Sequence, residues 1–269
     1  MTGENPELTE RQQREVDYHR EHAARHAERY ASISWELLRR DRRRWWNQQW
    51  AMFTELLRLE LPGKRVLVVG CGFGDDAFQL ARLGCQVHAF DLSADVLEVG
   101  RAVARRENLS IDFACMPAEQ LRYADGFFDA LVIRDILHHV EIPPALAELS
   151  RVSKPGAAAV INEVYTHSAL ESLRRSALVN GMLYPALRKL IYGRARPYIT
   201  PDERKLTERD LALLRRFLGK IHRVRGFDFL VNRVLPNRWA WLSKIDYVAL
   251  NALGPRLATL LGGRLLIVG

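Results

Sequence analysis

From residue 63 onwards the chain alternates between short apolar runs and longer amphipathic segments. The apolar runs are bounded by glycine, proline or polar turns, which is typical of buried strands. These predicted strands are residues 65–69, 85–91, 111–116, 127–135 and 157–165. The amphipathic segments predict helices at 75–84, at 93–108 with Ser93 as N-cap, and at 143–153. Strand–helix units joined by short loops favour a doubly wound parallel α/β sheet.

The pattern changes on both sides of this region. Before it, residues 9–31 and 35–59 are predicted as helices, the second with an apolar face of Trp46, Trp50, Phe53 and Leu57. After it, we predict a largely helical stretch, a sixth strand region, a helical insert and a last strand, at 168–218, 220–231, 232–262 and 264–269. The expected fold is a Rossmann-like, mostly parallel seven-stranded sheet with helical N-terminal and C-terminal caps.

Four segments follow from this pattern. They are an N-terminal helical cap at 1–62, a core at 63–166, a helical acceptor cap at 167–218, and a completion of the sheet at 219–269 with its insert at 232–262. The 48% hydrophobic content is enough to build a core, and no run of 18 apolar residues predicts a membrane span. The polar first residues lack the pattern of a secretory signal, and the three cysteines show no metal-ligand spacing. We therefore expect a cytoplasmic location, with peripheral contact to a membrane left open, and no metal site.

The excess positive charge is concentrated in the C-terminal part. Residues 157–269 carry 19 basic and 8 acidic side chains, whereas the chain as a whole has a net charge of +8. This distribution favours an anionic partner there, such as an acidic substrate, a membrane surface or a nucleic acid. A solvated helix face explains the same charges equally well.

A glycine-rich turn follows the first predicted strand, in the order Gly70, Cys71, Gly72, Phe73 and Gly74. Two carboxylates, Asp75 and Asp76, then open the next helix. A helix N-terminus normally attracts phosphate, but two acids in its first turn repel a pyrophosphate and suit a cationic ligand. Asp91 ends the second strand, where a carboxylate can accept the hydroxyl groups of a ribose. The alternative role of Asp91 is to cap the following helix, a position that Ser93 already fits.

These features, with three further motifs, resemble the class I S-adenosylmethionine (SAM)-dependent methyltransferases, in the branch of quinone C-methyltransferases and small-molecule O-methyltransferases. The matching stretches are "VLVVGCGFG" (66–74), "VHAFDLSADVLEVGR" (87–101), "AEQLRYADGFFDALVIRDILHHV" (118–140) and "LSRVSKPGAAAVINE" (149–163). The resemblance implies SAM as cofactor, with contacts from Gly70, Cys71, Gly72, Gly74, Asp91, Leu92, Ala118, Glu119 and Arg134. The chain departs from the family pattern at Val68 and Pro117, where the family usually has acids.

Candidate catalytic residues follow the fourth and fifth strands. His138 and His139 can act as a general base near neutral pH, and by similarity to related O-methyltransferases His138 is favoured. The alternative is that one histidine only orders the loop. Glu163 and Tyr165 end the fifth strand and could orient an acceptor, although Glu163 could instead pair with an arginine and Tyr165 could belong to the core.

The predicted activity is transfer of a methyl group to the oxygen or carbon of a small or lipid-like hydrophobic acceptor, with anionic groups on that acceptor as one option. The chain lacks the motifs of nucleic-acid base methylases, which disfavours nucleic acid as substrate. Two alternatives remain at this point: an RNA methyltransferase that uses the basic C-terminal half, and a non-catalytic binding protein with a methyltransferase fold, which Val68 and Pro117 permit.

Overall fold

A computed structural model describes residues 8–26, 32–41, 43–174, 204–231 and 240–269, together with residues 176, 177, 179 and 181. Within these residues the strands are β1 Arg65–Val69, β2 Gln86–Asp91, β3 Ile111–Cys115, β4 Phe128–Arg134, β5 Ser153–Val164, β6 Arg223–Phe227 and β7 Arg264–Val268. The helices are α1 Glu10–His26, α2 Gln48–Leu56, α3 Asp75–Arg82, α4 Ala94–Arg106, α5 Ile142–Val152, α6 Ser168–Arg174, α7 Glu208–Leu218, α8 Ala240–Ala252 and α9 Pro255–Leu261. Short 3-10 turns occupy Glu36–Leu38 and Leu137–His139.

The strands form one seven-stranded sheet in the order β3-β2-β1-β4-β5-β7-β6. Strand β1 pairs in parallel with β2 and β4, and β2 pairs in parallel with β3. Strand β7 is antiparallel to both β5 and β6. The predicted Rossmann-like, mostly parallel sheet is therefore confirmed.

The chain divides into two compact units. The first unit consists of Met1–Arg42 and Leu56–Ala159, and the second of Arg43–Glu55 and Val160–Gly269. These units cut across the four segments expected from the sequence, and they divide β5 after Ala159. The four-segment description stays a prediction about function.

The core of the first unit lies on both faces of its sheet, whose central strands are almost completely apolar. Val66, Leu67, Val132 and Ile133 are all fully buried. At 25 cal/mol for each Å² of apolar surface, such side chains contribute about 1.5–3 kcal/mol apiece. This core fixes the positions at which the strands end, and the candidate site is built there.

The single helix predicted at 35–59 is wrong. A 3-10 turn covers only Glu36–Leu38, and α2 begins at Gln48. The reason is a local cap: the side-chain oxygen of Asn47 accepts the N–H groups of Gln49 and Trp50, at 3.0 and 3.2 Å. An asparagine in this role satisfies the first donors of a helix and so sets its start.

Two predicted helical regions are described in part. α1 ends at His26, and residues 27–31 lie outside the described residues. In the acceptor cap, α6 and α7 are helical as expected, and α7 opens with the predicted capping box of Thr207 and Asp210. Four basic residues of that cap between 182 and 203, Arg188, Lys189, Arg194 and Arg196, lie outside the described residues, as do residues 232–239 of the insert.

Candidate active site

The loops that follow β1, β2, β3 and β4 meet at one edge of the first unit's sheet. These strands are parallel, so their carboxyl ends point the same way, and β1 has β2 on one side and β4 on the other. In open α/β sheets, ligands bind in the crevice at such a switch in strand order. Every candidate cofactor residue predicted from the sequence lies in the loops or strand ends at this edge.

Two glycines of the turn after β1 are required there for different structural reasons. Gly70 has a φ of +60°, and a Cβ there would approach the side chain of Ile136 to 2.6 Å. Gly72 has a φ of +53°, yet a Cβ there would meet no protein atom within 4 Å. Gly70 therefore lets the β1 loop pack against the β4 loop, whereas Gly72 presents bare backbone that a ligand can approach.

Asp91 organises the turn from the end of β2. Its two carboxylate oxygens accept the N–H groups of Gly72, at 2.8 Å, and Ser93, at 3.0 Å. Ser93 does occupy the N-cap position of α4, but its hydroxyl makes no capping hydrogen bond. The predicted N-cap position of Ser93 is therefore confirmed, and the Asp91 carboxylate accepts the N–H of Ser93 itself. Each carboxylate oxygen still has a lone pair with which to accept a further donor.

The two acids that open α3 lie in different environments. Asp75 is exposed, whereas Asp76 is buried and accepts a 2.6 Å hydrogen bond from Nε of Arg134 through Oδ2. Burial lowers the pKa of Arg134, but the charges of Asp76 and Asp135 outweigh that effect and raise the pKa overall. The sequence leads us to expect that the two negative charges of Asp75 and Asp76 repel a pyrophosphate. This expectation needs a correction, because Arg134 balances the charge of Asp76. The other carboxylate oxygen of Asp76, Oδ1, is buried and has no hydrogen-bond partner in the described structure.

Removal of the Arg134 charge tests how strongly this pair holds the site. We expect Arg134→Met to lower the free energy of unfolding by about 2–3 kcal/mol, because a buried carboxylate loses its partner. The expected cost lies below the roughly 3–5 kcal/mol typical of fully buried pairs because the Arg134 side chain is 24% exposed. Urea unfolding of the two single variants and of Arg134→Met with Asp76→Asn measures the coupling. Additive effects in the double variant would contradict the assignment.

Helix α1 contacts the loops at this edge within the first unit. Gln12 donates to Glu119 at 3.3 Å, and Arg11 forms an ion pair with Glu141 at 2.8 Å. Glu119 also accepts the N–H of Glu141 at 2.9 Å. The predicted adenine-edge residue Glu119 is thus held by α1 and by the loop after β4. The neighbouring Ala118 is 5% exposed, and Leu92 is half-buried.

The two candidate histidines lie against each other after β4, with ring centroids 4.1 Å apart and ring planes tilted by 42°. His139 contacts the Glu15 carboxylate of α1, with Nδ1 3.2 Å from Oε1. His138 is buried, and one of its ring nitrogens lies within 4.8 Å of a carboxylate oxygen of Asp135. Asp135 has a φ of +55°, an uncommon conformation that is often found at functional sites. Each histidine therefore has its own carboxylate neighbour.

Glu163 and Tyr165 lie in the second unit, at the end of β5, and both are 2% exposed. The N–H of Tyr165 donates to the carbonyl of Gly263, and its backbone bridges to Leu206. Tyr165 is among the largest fully buried side chains, which favours the core role for it. The roles of both residues toward an acceptor stay predictions.

The three cysteines are not poised as nucleophiles; Cys71 and Cys115 lie at this edge, whereas Cys85 precedes β2 at the opposite end of that strand. Burial and the nearby Asp91 charge raise the pKa of both Cys71 and Cys115, and burial raises that of Cys85 to about 11. Thiols with raised pKa values stay protonated near neutral pH and are poor nucleophiles. The reaction at this edge therefore requires another kind of group.

Sequence reasoning missed the contacts that Glu15 and Arg11 of α1 make with the loop after β4. Glu15 and Arg11 lie on a strongly polar helix far from the histidines in the sequence, and no motif connects them. Nothing in the sequence indicates that Asp135 belongs to the site either, because a positive φ at a residue other than glycine cannot be predicted from the sequence.

The comparisons with known proteins agree with this site. Residues 67–161 match the methyltransferase domain family, a stretch that contains the end of β1, Asp91, both histidines and most of β5. This part of the chain is a methyltransferase domain. SAM is the cofactor of this family.

Curated relatives of this methyltransferase domain are similar over less than half of the chain. The chain is 39% identical over 101 residues to the ubiquinone biosynthesis O-methyltransferase of Xanthomonas oryzae pv. oryzae strain PXO99A. The aligned part covers 37% of this chain and 42% of that protein. The chain is 38% identical over 127 residues to the protein of the same name from Nitrosococcus oceani, over 42% of this chain and 53% of that protein. The chain thus matches about half the length of these relatives, or less.

Solved structures share the fold over more of the chain. The [4+2]-cyclase SpnF aligns with a TM-score of 0.53 at 22% identity, over 83% of this chain and 81% of that one. A geranyl diphosphate C-methyltransferase from Streptomyces coelicolor A3(2) aligns with a TM-score of 0.52 at 13% identity, over 81% of this chain and 76% of that one. At these identities the likeness concerns the fold alone. Among the described residues, no helix has the length and apolar character that are needed to cross a bilayer.

Proposed function

We propose that this protein is a SAM-dependent methyltransferase that methylates an oxygen or carbon of a small or lipid-like hydrophobic acceptor. We further propose a cytoplasmic location with peripheral contact to a membrane. The observation that carries the proposal is Asp91, which accepts N–H groups from the glycine turn and from α4 at the edge where the family binds its cofactor. The names of the curated relatives support an oxygen acceptor.

The residues at the edge fit this cofactor. The Asp91 carboxylate has a lone pair on each oxygen for the two ribose hydroxyls. The Gly72 backbone is open to the methionine part, with Gly70 and Cys71 beside it. The buried Oδ1 of Asp76, which has no hydrogen-bond partner in the described structure, offers an acceptor to an ammonium group. Leu92, Ala118 and Glu119 would line the adenine. When bound, SAM supplies a methyl group on a sulfonium, which is electrophilic without further activation.

The protein's own task is then to position an acceptor and to take its proton. His138 is the proposed general base, and Asp135 is the carboxylate within reach of it. His139 is the alternative base, with the Glu15 contact to fix its tautomer. A base is needed for a hydroxyl acceptor, because the attacking oxygen must lose its proton as the new bond forms.

Cofactor binding is the first test of this proposal. Calorimetry with SAM and with S-adenosylhomocysteine should show binding of both to the full chain. Failure of both to bind would overturn the proposal and leave a non-catalytic binding protein with this fold. Salt-sensitive RNA binding together with methylation of RNA would instead support the RNA methyltransferase alternative.

We expect His138→Gln to lower the rate of methyl transfer to phenols about 10²–10⁴-fold, the range for loss of a general base. Its affinity for S-adenosylhomocysteine should stay unchanged. The assay measures transfer from labelled SAM to phenols with and without an apolar tail. His222→Gln is the matched control, because His222 is exposed in the second unit and far from β4 in the sequence. If His138→Gln is as active as the wild type and His139→Gln is inactive, His139 is the base.

A further inference from the structure

Helix α8 carries an apolar stripe on its exposed side. Trp241, Ile245 and Val248 are 61%, 57% and 49% exposed and recur at helical spacing. Two further large apolar side chains follow in the sequence, Leu253 just after α8 and Leu257 in α9, and they are 44% and 45% exposed. We call these five residues the α8–α9 surface. Large apolar side chains grouped in this way mark a contact site more often than single exposed ones do.

The opposite side of α8 already forms the core contact of the helix in the second unit. Leu250 is fully buried, and the Tyr247 ring lies 5.0 Å from the Phe227 ring. Asp246 is buried and accepts the N–H groups of Phe229 and Leu230, at 2.8 and 2.7 Å. The helix is therefore anchored through one face, and the α8–α9 surface is an additional apolar face that packing of the unit does not require.

The exposed charged side chains of the segment that carries this surface, residues 240–261, are both positive. Residues 240–261 contain three charged side chains, Lys244, Asp246 and Arg256, and of these the acid is buried while both cations are exposed. The Lys244 ammonium lies 5.9 Å from the Trp45 ring and 5.5 Å from the Trp46 ring. Exposed tryptophan, aliphatic side chains and cations together are the composition of helices that lie in the headgroup region of a membrane.

We propose that the α8–α9 surface docks the protein on anionic phospholipid membranes. The apolar side chains enter the boundary between headgroups and acyl chains, while Lys244 and Arg256 contact the lipid phosphates. A symmetric contact with a second copy of the chain fits less well, because it would bring the same cations together. The inference extends the lipid-like acceptor of the proposed function, since a membrane would present such an acceptor to the enzyme.

Vesicle flotation with the full chain tests this surface. We expect the wild type to bind vesicles of phosphatidylglycerol and phosphatidylcholine, and to bind far less to phosphatidylcholine alone. Ile245→Glu should weaken the partitioning at least about tenfold, because one aliphatic side chain leaves the apolar phase and a negative charge approaches the phosphates. Ala212→Glu is the matched control, since it adds the same charge at an exposed position of α7 in the same unit. Ile245→Ser serves as a second variant if Ile245→Glu fails to fold.

A second readout separates insertion from simple charge attraction. Brominated lipids should quench tryptophan fluorescence in the wild type, and Trp241→Phe should remove most of that quenching while binding persists. Lack of vesicle binding by the wild type at low salt, or equal weakening by Ile245→Glu and Ala212→Glu, would overturn the proposal. So would a dimer that Ile245→Glu separates, because the surface would then belong to a second copy.

The outcome is independent of methyl transfer. Vesicle binding without SAM binding would retain the docking surface and overturn the proposed function. SAM binding without vesicle binding would retain the methyltransferase and overturn the docking surface, together with the proposed membrane contact.

Discussion

Replacement of Asp91 by asparagine is expected to weaken the binding of S-adenosylhomocysteine at least about 100-fold. Both carboxylate oxygens of Asp91 already accept N–H groups, from Gly72 and Ser93. Asparagine has a single acceptor oxygen, so its NH₂ group would face one of these donors and could not accept a ribose hydroxyl. Hydrogen bonds to charged groups contribute about 1.5–3 kcal/mol each, and 1.4 kcal/mol corresponds to a factor of ten.

The same substitution should also destabilise the protein, by about 1–3 kcal/mol, because one N–H group loses its acceptor at a site that is 7% exposed. Calorimetry with S-adenosylhomocysteine measures the first effect, and urea unfolding measures the second. Asp95→Asn is the matched control: Asp95 lies in the first turn of α4, and its side chain is 47% exposed. An Asp91→Asn protein that binds as tightly as the Asp95→Asn protein would show that the ribose contact lies elsewhere.

Replacement of Gly70 by alanine should have the largest effect on stability, a loss of about 2–4 kcal/mol in the free energy of unfolding. Two costs combine there. The φ of +60° disfavours any residue with a Cβ, and the new methyl group would lie 2.6 Å from the Ile136 side chain. Movement of the β4 loop away from the β1 loop would relieve the clash and would separate groups that must act together.

The two costs can be measured separately. Gly126 has a φ of +59°, and a Cβ there would meet no protein atom within 4 Å. Gly126→Ala therefore measures the backbone cost alone. Gly70→Ala combined with Ile136→Ala removes the clash and should recover part of the loss relative to the two single variants. Equal stabilities of Gly70→Ala and Gly126→Ala would mean that the contact between the two loops contributes nothing.

Most of the sheet could be predicted from the sequence because its signals are local. The limits of β1 agree with the prediction, and the other strands differ mainly at their ends. The helix predicted at 35–59 is an exception. Its residues have a helical period, but α2 begins only at Gln48, where the Asn47 side chain accepts its first N–H groups. Periodicity reports which face can be buried, whereas the start of a helix depends on where a polar side chain can satisfy its first N–H groups.

The candidate site divides in the same way. The glycine turn and Asp91 follow directly from strand ends, so their convergence at one edge could be predicted from parallel topology. The Arg134–Asp76 pair could not, because it joins residues 58 positions apart and balances a charge that the sequence shows as free. The contact of Glu15 with His139 spans 124 positions and also depends on where α1 packs.

The sequence by itself therefore determined the fold, the domain family and the edge at which the cofactor residues gather, since all three depend on the order of strands and short motifs. Only the tertiary structure decided which carboxylate lies beside each histidine, which acid is balanced by Arg134, and which face of α8 is left exposed. Those properties depend on distances between groups that are remote in the chain, and packing alone sets such distances.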